Sequence, residues 1–266
     1  MQFETITPAD LDEIRGLQPE DWSDIIPEFE FYIQSPFCCP IKTRKDGKIV
    51  GVGATIAFKN TGWIAHIIVD HEYRNKGFGA QIVNELLDIL KRDSVETCSL
   101  IATELGKPVY LKAGFRIAAE YSFFQREKQW VECPVSENVI PLKENHRTMI
   151  YGLDRLISGE KRELLLKDYL SNASVYVENR KMVGYYLPDL REGLIYADND
   201  EAGLELMKLK YAKVDKAVLP SDNIAGIDFL QQNGFTETRK GTRMILGKEL
   251  QWNPKKIFGR IGGNLG

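Results

Sequence analysis

Residues 70–90 read DHEYRNKGFGAQIVNELLDIL. From Phe78 onward the apolar residues follow a helical period: Phe78, Ile82, Val83, Leu86, Leu87 and Leu90 form one stripe. Gln81, Asn84, Glu85, Asp88 and Lys91 lie opposite. Such a helix packs by one face. Packing does not account for Arg74, Gly77 and Gly79 at its start, since a glycine inside a helix costs about 1 kcal/mol against alanine. A helix N-terminus presents backbone N–H groups without partners and a partial positive charge, which suits a phosphate. Glycines let the main chain close on such a ligand, and an arginine adds a forked cation. The stretch therefore has the chemistry of a pyrophosphate site. A loop that needs positive φ beside a surface arginine accounts for the same three residues. Two other phosphate motifs are missing. There is no G-x-x-x-x-G-K-[ST] loop, and Gly77-Phe78-Gly79-Ala80-Gln81-Ile82 lacks the third glycine of a dinucleotide fingerprint.

Upstream of this stretch, QFETI reads as a short strand, and TPADLDEIRGL as a helix with Thr7 as cap and Pro8 in the first turn. PEDWSDIIPEFEFYI reads as a second helical stretch that Pro27 bends or splits. Residues 40–70 read as successive strands, with turns at Asp46-Gly47 and Asn60-Thr61-Gly62. The apolar run HIIV suits a strand buried on both faces. Downstream, VETCSLIAT is a strand, GKPVYLKAGF a helix closed by Gly114, and RIAAEYSFFQ a strand. The order implies an α/β or α+β domain over residues 1–132.

Residues 133–150 break the pattern and are read as a linker to a second domain at 151–266. That domain repeats the series: a hairpin, a strand, then helix, strand, helix and strand. GKIVGVG is echoed by RKMVGYY, and TELGKPVYLKAGF by NIAGIDFLQQNGF, with Gly106 over Gly226 and Gly114-Phe115 over Gly234-Phe235. The chain reads as a duplicated domain.

Composition sets outer limits. Of 266 residues, 43 % are hydrophobic and 27 % charged, as in a globular protein with a full core. A net charge of −3 offers no general attraction to nucleic acid or an anionic membrane. The N-terminus has no basic start followed by an apolar run, and no stretch is long and apolar enough for a bilayer. The basic end, NPKKIFGRIGG, reads as a frayed tail. Cys38, Cys39, Cys98 and Cys133 form no C-x-x-C pair, so a reducing cytoplasm is expected. His66, His71 and His146 show no metal-ligand spacing, and no metal is expected.

Arg74-Asn75-Lys76-Gly77-Phe78-Gly79-Ala80, preceded by Ile67-Ile68-Val69, resembles the R-x-x-G-x-G/A acetyl-CoA loop of the GNAT acetyltransferase superfamily. In that family the loop follows an L/I-x-V strand and opens a helix. His71 stands where many members have proline. A second landmark resembles the family's N-x-x-A-x-x-x-Y-x-x-x-x-F. Tyr110 is at the family offset and Gly114-Phe115 closes the motif, with Thr103 and Gly106 in place of asparagine and alanine. The resemblance covers residues 1–130. The second half resembles the degenerate GNAT domain of tandem members. Asn223 and Gly226 keep the spacing, but Leu230 stands in the place of Tyr110. Asp198, Asp200 and Glu201 stand where a pyrophosphate would be repelled. This half is expected to be catalytically silent, shaping the acceptor pocket or an oligomer interface such as that of a homodimer.

The resemblance implies two domains, each with a mixed, mostly antiparallel central sheet flanked by helices. It implies transfer of acetyl from acetyl-CoA to a primary amine of a small molecule or peptide. Phosphates would rest on the N–H groups of Asn75, Lys76, Gly77, Phe78, Gly79 and Ala80. The pantetheine arm would pair with Ile67, Ile68 and Val69, with Thr103 also on the cofactor side. A backbone N–H near Val69 would stabilise the oxyanion, and Tyr110 would protonate the leaving thiolate. For the base, His66 lies on the strand beside the reaction centre; Glu72, Glu104 and a water chain remain alternatives. Trp22, Phe29, Phe31 and Tyr32 either line an acceptor pocket or pack as core. Two other functions stay open: a non-catalytic acyl-CoA-binding sensor or scaffold, and transfer of a longer acyl chain.

Overall fold

The computed structural model describes residues 1–19, 22, 24–127 and 133–266. The domain boundary expected at residue 132 falls on residues 128–132 and lies outside the described residues. The chain divides into two compact units: Met1–Ile117 with Met244–Lys248, and Ala118–Arg243 with Glu249–Gly266.

The first unit runs β1 (Phe3–Thr5), α1 (Leu11–Arg15), α2 (Ile26–Gln34), β2 (Cys38–Lys45), β3 (Lys48–Phe58), β4 (Thr61–Val69), α3 (Phe78–Arg92), β5 (Thr97–Ala102) and α4 (Lys107–Lys112). Its strands lie side by side in the order β1-β2-β3-β4-β5, and residues 244–247 line the far edge of β5. There the Lys248 N–H donates to Glu96 O at 3.0 Å and the Thr97 hydroxyl donates to Lys248 O at 2.9 Å. Gly247 has a φ of +92°, and a Cβ on it would lie 2.1 Å from Glu96 O, so only glycine fits.

The β2–β3 turn is Asp46-Gly47, both at positive φ, as a tight hairpin requires. The next turn is Lys59-Asn60, because Thr61 and Gly62 already belong to β4. Pro27 does not bend a helix; it takes the second position of α2, where its missing N–H has no partner to lose. Helix α3 buries Ile82, Val83, Leu86 and Leu90 against β3 and β4. It sits close because Gly51 and Gly53 face it. A Cβ on Gly51 would lie 2.6 Å from Ile82 Cδ1, and one on Gly53 2.9 Å from Leu86 Cδ1. Near the chain start, Asp10 accepts from Thr7 N and Oγ1 at 2.8 Å each, Lys42 Nζ at 2.5 Å and Arg44 Nη2 at 3.1 Å. Burial raises the Asp10 pKa, but Lys42 and Thr7 outweigh it and bring it down to about 2.

The second unit takes most of β6 (Arg116–Arg126), then β7 (Val139–Pro141), α5 (Arg147–Ser158), α6 (Glu163–Leu166), β8 (Ser174–Glu178), β9 (Lys181–Leu187), β10 (Leu194–Ala197), α7 (Asp200–Tyr211), β11 (Lys216–Pro220), α8 (Ile224–Gln232), β12 (Phe235–Gly247, through Arg243) and β13 (Ile257–Gly259). Within it, β6 lies between β11 and β12, and β13-β10-β9-β8-β7 form a second sheet. The chain's end is not a frayed tail. β13 pairs with β10, and Ile257, Phe258, Ile261 and Leu265 are all buried. The apolar spacing I-F-x-x-I-x-x-x-L explains the burial, and the local lysines and glycines mask it in composition.

The internal echo is structural. A Cβ on Gly184 of β9 would lie 3.0 Å from Leu206 Cδ1 of α7, as one on Gly51 of β3 would crowd Ile82 of α3. The Gly226 N–H donates to Asn223 Oδ1 at 2.8 Å, and the Gly106 N–H to Thr103 Oγ1 at 3.2 Å. Gly114 and Gly234 both stand at positive φ at helix ends.

Candidate active site

Strands β4 and β5 are parallel neighbours only at Thr61↔Thr97, Gly62↔Cys98 and Trp63↔Ser99, although β4 runs on to Val69 and β5 to Ala102. Beyond Trp63 the two strands part. On its other side β4 pairs with β3 with one interruption: Val52↔Ile68 and Ala54↔Ala65 leave His66 and Ile67 opposite Gly53 alone. This is a β-bulge, and its strain sits at His66, whose φ is +47°. The run HIIV is therefore not buried on both faces. Ile68 is buried, while His66, Ile67 and Val69 are half-buried, because β5 has left that side of β4.

The chain leaves β4 through a one-turn 3₁₀ segment, His71–Tyr73, capped by the Asp70 carboxylate accepting from Glu72 N at 2.8 Å. Arg74 is exposed and folds back, its Nε donating to Val69 O at 3.1 Å. Asn75 at φ +60° and Gly77 at +85° turn the main chain into α3. Gly77 is the N-cap residue; no side chain caps the helix and no acidic residue lies in its first turn. The first intrahelical bond is Gln81 N–H to Gly77 O, at 3.2 Å. The N–H groups of Phe78, Gly79 and Ala80 thus have no carbonyl within the helix. A Cβ on Gly79 would meet Val69 Cγ2 at 3.8 Å, so the first turn lies beside the end of β4. Lys76 Nζ stands 5.3 Å from the Tyr73 ring, and that ring meets Phe78 edge-on at 5.6 Å. The loop is braced and cationic.

Tyr110 lies on α4, edge-on to Phe115 at 5.9 Å. A Cβ on Gly106 would lie 3.0 Å from its Cε2, so the glycine makes room for this ring. Burial lifts the Tyr110 pKa to about 12, and the nearby Cys98 on β5 adds to the rise. The phenol keeps its proton through neutral pH. Thr103 is exposed, and its hydroxyl oxygen accepts from Gly106 N, which starts α4.

His66 is held from the other side, by α2 and Trp22. Its ring lies 5.9 Å from Trp22, 5.8 Å from Phe29 and 5.6 Å from Tyr32. Tyr32 Oη is 2.7 Å from His66 Nδ1. Phe29 and Tyr32 are fully buried, so these two candidate pocket aromatics are core residues that surround the histidine. Sequence reasoning missed the Tyr32–His66 pair, which joins positions 34 residues apart. Glu72 and Glu104 are exposed. Among the described residues no group of three or more His, Cys, Asp or Glu is placed to hold a metal. Nor, among them, is any helix long and apolar enough to cross a membrane. None of the four cysteines is in a disulfide.

The second unit closes the corresponding place. Asn199 caps α7, its Oδ1 accepting from Ala202 N at 2.9 Å, and Asp200 and Glu201 fill the first turn. Glu201 accepts from the Tyr176 hydroxyl at 2.8 Å, and Asp198 pairs with Lys256. Leu230, in the place of Tyr110, is fully buried.

A model of the acetyltransferase (GNAT) family matches residues 7–115, and a model of an acetyltransferase (GNAT) domain matches residues 150–259. Among solved structures, a Pyrococcus horikoshii protein assigned as an acetyltransferase aligns with a TM-score of 0.81 and 18 % identity, over 100 % of this chain and 95 % of that one. A GCN5-related N-acetyltransferase from Sphaerobacter thermophilus aligns with a TM-score of 0.64 and 12 % identity, over 95 % and 98 %. A glucosamine N-acetyltransferase region of a fungal multi-domain β-N-acetylglucosaminidase aligns with a TM-score of 0.69 and 14 % identity, over 92 % of this chain and 38 % of that one. At these identities the likeness is one of fold. No curated protein matches. The two family models, together with the two halves that echo each other, lead to one conclusion: the chain belongs to the GNAT acetyltransferases and carries two such domains in tandem.

Proposed function

We propose that the protein is an acetyl-CoA-dependent N-acetyltransferase that acylates a primary amine, with its chemistry in the first domain and the second domain silent. The observation that carries this reading is the uncapped start of α3, set beside the end of a strand whose neighbour has parted from it. The pyrophosphate of acetyl-CoA rests on the N–H groups of residues 75–80, with Arg74 and Lys76 supplying charge. The pantetheine arm lies along Ile67, Ile68 and Val69 as an added strand, with Thr103 on its far side.

In the reaction the amine nitrogen attacks the thioester carbonyl carbon and the C–S bond breaks. His66 takes the proton the amine loses. Tyr110 gives its proton to the departing sulfur, and its raised pKa keeps that proton in place until it is needed. A backbone N–H of β4 near Val69 stabilises the oxyanion.

The test is release of free CoA thiol from acetyl-CoA with a panel of primary amines: an aliphatic diamine, an amino sugar, free amino acids and a lysine-containing peptide. Amine-dependent release supports the reading. Saturable acetyl-CoA binding with no release for any amine would support a sensor instead.

A further inference from the structure

The register of β4 settles where the main chain of Val69 points. Gly51↔Val69 and Val52↔Ile68 are paired across β3 and β4, and the Asp70 N–H donates to Val50 O at 3.0 Å. Bonded and non-bonded pairs alternate along an antiparallel ladder. Val69 therefore sits at a non-bonded position, and its own N–H and C=O face away from β3. They face the side that β5 leaves open beyond Trp63. Of these two groups the carbonyl is taken: Arg74 Nε–H donates to it at 3.1 Å. The Nε and the two Nη nitrogens of a guanidinium donate in different, fixed directions. Among the described residues, the Nη nitrogens of Arg74 have no hydrogen-bond or ion-pair partner. The first turn of α3 adjoins Val69, since a Cβ on Gly79 would lie 3.8 Å from Val69 Cγ2.

We propose that Arg74 is a positioning residue that sets the register of the added strand: its Nε–H occupies Val69 O, so the edge offers an incoming amide only the Val69 N–H. This rests on the reading of β4 as the edge that takes the pantetheine arm. An extended arm pairs through amide C=O and N–H groups alike. With both Val69 groups open, either end of an amide could pair there, in registers that place the thioester differently along β4. With the carbonyl taken, only an amide C=O is accepted at this position, and the thioester carbon comes to rest in one place. The Nη nitrogens are left for the diphosphate, so one side chain ties the phosphate site to the strand edge. A lysine keeps the charge but has a carbon where arginine has Nε. A glutamine has its amide nitrogen there and no charge.

The experiment compares Arg74→Lys with Arg74→Gln in the full chain. Arg74 is exposed, and both variants are expected to fold. Amine-dependent thiol release gives kcat, and isothermal titration gives acetyl-CoA affinity. For Arg74→Lys, which loses the Nε donor, we expect kcat to fall at least tenfold with affinity within threefold of wild type, as binding in a wrong register requires. For Arg74→Gln, which loses the cation, we expect affinity to fall at least tenfold with kcat at saturation within threefold. Arg74→Lys with wild-type kcat, or Arg74→Gln losing as much kcat as Arg74→Lys, would overturn the proposal. A second readout needs no turnover. In the ¹⁵N-labelled wild type, the Arg74 Nε–H signal, identified by its absence from either variant, should exchange with water more slowly than those of other exposed arginines. It should do so both free and with CoA bound; fast exchange in either state would also overturn the proposal. Failure of the underlying reading looks different: a wild type that takes up no acetyl-CoA removes that reading, and the proposal with it, even where the Nε–H exchanges slowly.

Discussion

The two domains place a helix after a strand at corresponding points and treat its first turn in opposite ways. Helix α3 starts at a glycine, with no capping side chain and no acidic residue in its first turn. Helix α7 starts at Asn199, which caps it, followed by Asp200 and Glu201. Both helices pack on their sheets across glycines, Gly51 in one and Gly184 in the other. The difference thus lies in a few residues rather than in the fold. Capping and a favourable charge each stabilise a helix by about 1 kcal/mol. The first domain forgoes that stability, and under the proposed function its uncapped N–H groups hold the pyrophosphate; the second takes the stability, with a cap and two carboxylates at the corresponding turn.

The contrast can be broken most forcefully at Tyr110, whose counterpart is the buried Leu230. In Tyr110→Phe, kcat should fall by about 10²–10⁴ with acetyl-CoA affinity nearly unchanged. Steady-state rates and a binding titration check this, and intact turnover would remove the acid role.

A smaller effect belongs to the second domain. Lys210 is buried with Nζ donating to Gly193 O at 2.8 Å, and burial brings its pKa down from 10.5 to about 8. Between pH 8 and 10.5 the unfolded chain binds more protons at this group than the folded one, so stability rises with pH across that window. Urea midpoints at pH 7.5 and pH 9.5 should include a gain of about 2 kcal/mol that belongs to Lys210. Lys210→Met should flatten that gain; an equal slope in the variant would assign it to another group.

The smallest expected effect sharpens the contrast directly. Asn199→Ala removes the cap of α7 and should cost about 1 kcal/mol of stability. Acetyl-CoA affinity should not change. A changed affinity would mean that the second domain takes part in binding.

Much of this was legible in the sequence because it is local. The period of residues 78–90 gave α3, Asp46-Gly47 gave a hairpin turn, and the glycine pairs gave the internal echo. What escaped is what distant partners decide. The bulge at His66 depends on register between β3 and β4, and the Tyr32–His66 bond joins a helix to a strand. HIIV looked buried on both faces because composition does not reveal where β5 parts from β4. The end of the chain looked frayed because its lysines and glycines hid an apolar strand paired to β10. Residues 244–248 belong with the first unit, although they follow a repeat that reads as wholly second-domain.

The central claim is that acetyl-CoA docks at the start of α3. Gly79→Glu tests it most directly, because a Cβ there meets nothing closer than 3.8 Å and a carboxylate in a first helical turn favours the helix. Isothermal titration with acetyl-CoA should show saturable binding to the wild type. The variant should unfold at the same or a higher urea concentration yet bind at least 100-fold more weakly. Equal affinity in the two proteins would contradict the account.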